Sequence, residues 1–407
     1  MAGVLPFRAW RYDPARIGAL SKVVTQPYDK IGPALQDEYY AASPYNICRV
    51  ILGRKAAGDD ADRNAYTRAA QGLGAWMKEG VLPQAAEAAF YPYFQSYTTP
   101  DGRRLTRKAF IGAGVLEPIG LGVKAHEKTL AGPKADRLNL LRALGASCEL
   151  IFMLYDDPQG EVNRILDEAA AGEPREATDE DGNAHRIWAL SDPSRIRAVQ
   201  ERMAATPLLI ADGHHRYETA LNYQKEQREK GVRCRGPETY DAVPMAFVAL
   251  QDPGLTILPT HRAVHSVKGF DPARLLARLA GDFEVSGLKT SGGAACAAAT
   301  DRWTFALALQ DGRCFRLKLK HQAPEAVIPG NQSAGWKRCD VAVLHSLILE
   351  KHLGIGAREM EQESNLHYFR APGDAFDTLR NGHAQAVFFV PPTPIGDVRL
   401  TSALGER

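Results

Sequence analysis

The chain has 407 residues, a formal net charge of +2 and 45% hydrophobic residues, the profile of a soluble globular protein with two or three domains. Its basic residues are dispersed among Asp and Glu, which argues against nucleic acid as an obligatory partner. Six cysteines without CxxC spacing read as free thiols of a cytoplasmic protein, and neither a signal peptide at Met1 to Trp10 nor a membrane-length apolar run is present.

Up to about Tyr97 the chain mixes extended pieces with helices. Tyr45 to Gly53 reads as a strand ending at a glycine, and Ala65 to Glu79 as a helix closed by Gly80. Ala109 to Val115 is a strand candidate and Lys134 to Ala146 a Leu-rich helix. Strands follow at Ile151 to Tyr155 and Arg186 to Leu190, with the acidic stretch Ala169 to His185 between them as an exposed hairpin or insertion. Asp192 to Ala205 is a helix with Pro193 suited to its first turn. Pro244 to Leu250 and Leu255 to Val264 read as a strand pair around Asp252-Pro253-Gly254. Phe270 to Ala280 is helical, Ser286 to Thr300 a flexible connection, and Trp303 to Leu309 with Cys314 to Leu319 a hairpin across Asp311-Gly312. Val341 to Leu353 is an amphipathic helix ending at Gly354, and Ala386 to Val390 a final core strand. The class is α/β with an α+β flavour toward the C-terminus, in three regions: 1–100, 101–240 and 241–407.

The most informative stretch runs from Leu208 to Leu221. An apolar strand breaks at Asp212-Gly213, and His214, His215 and Arg216 then occupy the first turn of a helix. Helix N-termini offer unpaired N–H groups and partial positive charge, so one guaranteed cation and two imidazoles there build an anion site, most naturally for phosphate. Asp212 fits either as a cap for the N–H groups or as a ligand for the Mg²⁺ that accompanies nucleotide phosphates.

Familiar alternatives are absent. There is no GxxxxGK[ST] loop, no HExxH and no GxSxG, and Gly112-Ala113-Gly114 lacks the third glycine of a dinucleotide fingerprint. Adjacent helical histidines point about 100° apart, too far to share a zinc ion easily.

A second cluster is His126-Glu127-Lys128-Thr129, followed by Pro133 to Arg137. A carboxylate flanked by cations has a depressed pKa, so Glu127 serves as a base only if partly buried or poised against substrate; a solvated turn is the bland reading. Pro259-Thr260-His261-Arg262 is a third set, and Arg8, Pro27-Tyr28-Asp29, Asn46 and Arg49 a fourth.

The strand–ADGHHRYETA–helix unit resembles the phosphate-binding motif of the ParB/sulfiredoxin superfamily. Its double-histidine form is similar to that of free-serine kinases, which carry a DGHHR turn and an upstream His-Glu. Together with Pro6-Phe7-Arg8, Pro27-Tyr28-Asp29, Pro44-Tyr45-Asn46 and Pro259 to Arg262, the arrangement resembles the bacterial domain of unknown function 1015 family over nearly the whole chain. The resemblance implies a ParB/sulfiredoxin-like core in region 101–240 with N- and C-terminal extensions. It also implies catalytic roles for Glu127 as base, with His126 and Asp212, and a metal role for Asp212. Gly213, His214, His215, Arg216, Lys128 and Thr129 would hold the cofactor, ATP, ADP or another nucleotide, with Mg²⁺. The expected function is nucleotide-dependent phosphoryl transfer to a small hydroxyl compound, serine being the leading candidate and serine metabolism the setting. The alternative is a non-catalytic, CTP-type nucleotide-binding regulator of the ParB-like kind.

Overall fold

A short strand β1 (Val4–Leu5) leads into a helical layer of α1 (Pro14–Ile17), α2 (Pro33–Ala42), α3 (Cys48–Ile51) and α4 (Ala65–Lys78). Asn64 opens α4 with a reciprocal cap, its side chain accepting from the Tyr66 and Thr67 N–H groups. The computed structural model describes residues 3–100, 102–125, 131–234, 236–289, 292–362 and 364–403. His126, Glu127, Lys128 and Thr129 lie outside the described residues.

Two units make up this mixed α/β chain, Met1–Leu255 and Thr256–Glu406. In the first, the helical layer is followed by β2 (Tyr91–Thr98), β3 (Arg104–Val115), β4 (Val123–Lys124), α5 (Ala131–Leu144), β5 (Ile151–Tyr155) and α6 (Glu161–Ala169). The unit continues through β6 (Arg175–Thr178), β7 (Ala184–Ile187), α7 (Pro193–Ala204), β8 (Leu208–Asp212), α8 (His214–Glu229) and β9 (Ala242–Ala249). These strands form one mixed sheet in the order β4-β8-β5-β9-β3-β2-β7-β6, with β1 added beside β3. Pairing is parallel at β4/β8 and β5/β9 and antiparallel elsewhere among the described residues. Phe110, Met153, Ile210, Met245 and Phe247 of the sheet pack with Leu166 of α6, Val199 and Met203 of α7, and Tyr217 and Ala220 of α8. Each such large apolar side chain contributes about 1.5–3 kcal/mol on full burial. The helical layer has its own core around Val50, Leu73 and Trp76, which Leu140 of α5 joins.

The second unit contains β10 (His261–Val264), α9 (Pro272–Asp282), β11 (Phe283–Leu288), α10 (Gly293–Ala298), β12 (Thr304–Leu309), β13 (Cys314–Leu319) and α11 (Ala334–Lys337). A helix then runs through α12 (Asp340–Leu344), a π-helical stretch His345–Glu350 and α13 (Lys351–Leu353), closed by Gly354. After it come α14 (Ala357–Glu361), β14 (Leu366–Phe369), α15 (Pro372–Arg380), β15 (Ala386–Phe389) and α16 (Ile395–Ala403). The sheet is antiparallel, in the order β11-β13-β12-β15-β10-β14. Leu275, Leu279, Val343 and Leu347 cover one face; Cys296, Ala375 and Leu379 cover the other. Among the described residues no helix is long and apolar enough to cross a membrane.

Several sequence expectations are revised. Tyr45 to Gly53 forms the helical turn α3, not a strand. Asn46 starts it by accepting from the Cys48 N–H at 2.9 Å, and Ile47, Val50 and Ile51 fall on one helical face. Leu255 to Val264 does not pair with β9. Asp252 accepts from the Gly254 N–H at 2.9 Å, and Gly254 lies so close to β3 that a Cβ there would stand 2.1 Å from the Thr106 carbonyl oxygen. The chain thus leaves the first sheet, and β10 belongs to the second unit. Ser286 to Thr300 contains part of β11 and then α10, whose Cys296 is fully buried. The boundaries 1–100, 101–240 and 241–407 are redrawn as well, because β2, β3 and β9, one from each region, are neighbours in a single sheet.

Candidate functional site

Leu208, Leu209 and Ile210 are a buried run between β4 and β5, and Asp212 is the last residue of this strand. Gly213 then takes φ +92°, in the left-handed region that costs a residue with a side chain about 1–2 kcal/mol. This reversal lets the sixteen-residue helix α8 begin at His214, with the Tyr217 N–H donating to the Gly213 carbonyl at 2.9 Å. Tyr217 is fully buried, and its hydroxyl donates to the Glu117 carbonyl at 2.8 Å while accepting from the Glu117 N–H at 3.2 Å. The start of the helix is thereby fixed to the segment after β3.

Arg216 folds back over the turn. Its guanidinium pairs with the Asp212 carboxylate and also donates to the Leu150 carbonyl before β5. A Cβ placed on Gly213 would lie 3.1 Å from the Arg216 Cζ, so glycine serves both the backbone angle and the arginine's position. The Arg216 side chain is 17% exposed, whereas that of Asp212 is 61% exposed. The capping alternative for Asp212 is not what its carboxylate does; it meets the guanidinium instead.

Behind Arg216 lies a cavity of about 60 Å³, lined by Arg216, Thr219 and Ala220 of α8, Arg137 and Leu140 of α5, and Glu149. Arg137 is buried, bonding Asp136 at 2.6 Å, Glu149 at 3.3 Å and the Ile51 carbonyl at 2.8 Å. Tyr28 stacks on the same guanidinium, with its ring centroid 4.0 Å from the Arg137 Cζ. Burial raises the Glu149 carboxyl above its ordinary range, opposed by Arg137 and then Arg216. Glu149 Oε1 and the Thr219 hydroxyl are buried without a protein hydrogen-bond partner. Polar space of this kind holds water or a small ligand group, each water needing about 10–15 Å³.

Residues 4–342 match the family described as a protein of unknown function, DUF1015. The chain belongs to that family. No curated protein matches the sequence. Among solved structures, a conserved hypothetical protein from Pyrococcus furiosus is similar at 15% identity and TM-score 0.31, covering 70% of this chain and 83% of that one. A free serine kinase in complex with AMP is similar at 14% identity and TM-score 0.32, covering 70% of this chain and 80% of that one. A variant of a free serine kinase in complex with ADP matches with the same figures.

Within this DUF1015 chain the residues singled out in the sequence divide clearly. Asp212, Gly213 and Arg216 form one turn; His214 in the same turn is buried at 3% exposure, while His215 is half-buried. His126, Glu127, Lys128 and Thr129 fall outside the described residues, but both elements flanking them are held beside the turn. Val123 and Lys124 of β4 pair in parallel with Leu208 and Leu209 of β8. On the other side α5 is tied to α8 by Lys134–Glu218 at 2.7 Å and Arg142–Glu226 at 2.5 Å.

Of the N-terminal set, Tyr28 reaches this cluster through Arg137. Arg8 pairs with Glu238 at 2.9 Å, and Arg49 donates to the Tyr40 carbonyl at 2.6 Å, both structural placements. Glu149 carries little signal in the sequence, a lone carboxylate just before the apolar strand Ile151–Tyr155. Asp212, whose carboxylate already meets the Arg216 guanidinium, is the residue of this turn that could help to hold a divalent ion. Among the described residues no group of three or more His, Cys, Asp or Glu is placed to hold a metal.

Proposed function

We propose that the turn from Asp212 to Arg216 binds the phosphates of a nucleotide, and that this DUF1015 protein transfers a phosphoryl group to a small hydroxyl substrate. The observation that carries the reading is Arg216 packed back onto the left-handed Gly213 at the positive end of a long helix. A planar guanidinium and a helix N-terminus converge there on one surface, the combination that oxyanions of phosphate require. Phosphoryl transfer asks little more of a protein than positioning and charge neutralisation.

Glu127 is the proposed base, with His126 beside it and Lys128 and Thr129 contributing to nucleotide binding. Support comes from the tether: the chain on both sides of this segment is anchored to β8 and α8. Serine is the proposed acceptor, on the strength of the DGHHR turn and the His-Glu pair in the sequence, which also suggest the ParB/sulfiredoxin-like kinship. Mg²⁺, held partly by Asp212, would neutralise phosphate charge.

The test is phosphorus NMR of the protein incubated with L-serine, Mg²⁺ and either ATP or ADP, alongside Glu127→Gln. Formation of a phosphate monoester of serine that falls by roughly 10²–10⁴ in the variant, with nucleotide affinity retained, is expected for loss of a general base. Nucleotide binding without any phosphoryl transfer to serine or other small alcohols would refute the enzymatic reading.

A further inference from the structure

Among the described residues two arginines are almost completely buried, Arg137 at 6% and Arg262 at 7% exposure. They differ in what meets them. Arg137 lies against two carboxylates and a carbonyl, as described above. Arg262, from the Pro259 to Arg262 motif that the proposed reaction does not use, donates to the Thr260 carbonyl, and its Nε is buried with no acceptor. Among the described residues no carboxylate pairs with it; the ring of Tyr368 lies beside it, with the centroid 5.5 Å from Cζ. A guanidinium carries five N–H donors, and burying its charge without an anion is strongly unfavourable.

Strand β10 is central, pairing with β14 and β15, so Arg262 stands opposite Tyr368 on one side and Phe388 on the other. Val264, two residues on and therefore on the same face, packs with Val343, Leu344 and Leu347. The helix beginning at Asp340 thus covers the Arg262 face. His345 of that helix has its Nε2 buried without a partner. Burial first, then the Arg262 charge, lowers the His345 pKa to about 3, so the imidazole is neutral and available as an N–H donor. Tyr368 is 37% exposed, which leaves the arginine one side chain away from solvent.

We propose that Arg262 and His345 form a binding site in the second unit for a small oxyanion, the phosphate or carboxylate group of a small molecule. The anion would accept N–H donors from the guanidinium and from His345 Nε2, satisfying both orphaned atoms and neutralising the buried charge. None of the residues in the Asp212 to Arg216 turn takes part.

The test uses the full chain carrying Arg216→Ala, which weakens the proposed nucleotide turn, titrated by calorimetry with inorganic phosphate and separately with acetate. Binding of either is expected in this background, and which one binds assigns the group. Adding Arg262→Met should weaken that binding by roughly tenfold or more while leaving the anion-free protein at least as stable, because an unpaired buried charge is gone. An anion affinity untouched by Arg262→Met overturns the proposal, as does the absence of binding by both anions. If the Met variant does not fold, NMR of the His345 ring in the Arg216→Ala protein decides: its resonances must move with the anion, and a ring that stays still overturns the site.

Discussion

Arg216 pairs with Asp212, the carboxylate one helical turn before it, across the left-handed Gly213. On the proposed reading the same guanidinium would have two claimants, the Asp212 carboxylate already present and the phosphate of a ligand. With the Asp212 carboxylate largely in solvent the pair is worth little, about 0–1 kcal/mol, whereas a phosphate offers a guanidinium bidentate, charge-assisted hydrogen bonds. Phosphate should win, but at a cost set by Asp212.

It follows that Asp212→Asn strengthens binding of inorganic phosphate in the absence of Mg²⁺, by a factor of about 2–5 if the lost pair is worth up to 1 kcal/mol. Calorimetry in a chelating buffer reads this directly. Weaker phosphate binding in the Asn variant would mean that Asp212 positions the arginine rather than competes for it.

Gly213 has a double role, and Gly213→Ala should expose both parts. The φ of +92° penalises any side chain, and the new Cβ would stand 3.1 Å from the Arg216 Cζ. A loss of about 1–3 kcal/mol in urea denaturation is expected, with a parallel loss of phosphate affinity as the guanidinium is pushed aside. Full stability with normal affinity would show that the turn tolerates a side chain and that its geometry does not set the arginine.

How much of this was legible in the sequence follows from the range of each interaction. Strand β8, the break at Gly213 and helix α8 are local: an apolar run, an Asp-Gly pair and a helical pattern are adjacent along the chain. Ala65 to Glu79 and Asp192 to Ala205 were equally readable, because their caps Asn64 and Asp192 sit beside them. Tyr45 to Gly53 fits either period because six of its nine residues are apolar, and Asn46 tips the balance toward a helix. The strand pair around Asp252 failed for a tertiary reason, the docking of Gly254 onto β3. Glu149, Thr219 and the stacking of Tyr28 on Arg137 were invisible, since each depends on residues brought together from distant parts of the chain. Glu127, prominent in the sequence, lies outside the described residues.

Acid should destabilise the second unit through His261. This ring is fully buried, and its Nδ1 accepts from the Val390 N–H at 3.3 Å, which requires an unprotonated nitrogen. Burial, and then the charge of Arg262, lowers its pKa to about 4. The folded value is below the ordinary histidine value of about 6.5, so the folded chain binds fewer protons than the unfolded chain in this window. Its contribution is complete above pH of about 6.5 and is lost as pH falls through the folded value, on the order of 3 kcal/mol in all. His345 acts in the same direction. Denaturation of wild type and His261→Phe between these pH values is the check: the variant should show a shallower loss of stability on acidification. Identical pH slopes would show that His261 does not titrate as its burial requires.

The proposed binding of nucleotide phosphates by the Asp212 to Arg216 turn depends on Arg216. Calorimetric titration of ADP with Mg²⁺ into wild type, Arg216→Ala and Arg216→Lys tests it most directly. The Ala variant should lose about 1.5–3 kcal/mol of binding free energy, the scale of a charge-assisted hydrogen bond. Lys should recover little of it, because an ammonium lacks the planar fork. A folded Ala variant that binds ADP as tightly as wild type would rule out phosphate binding through Arg216.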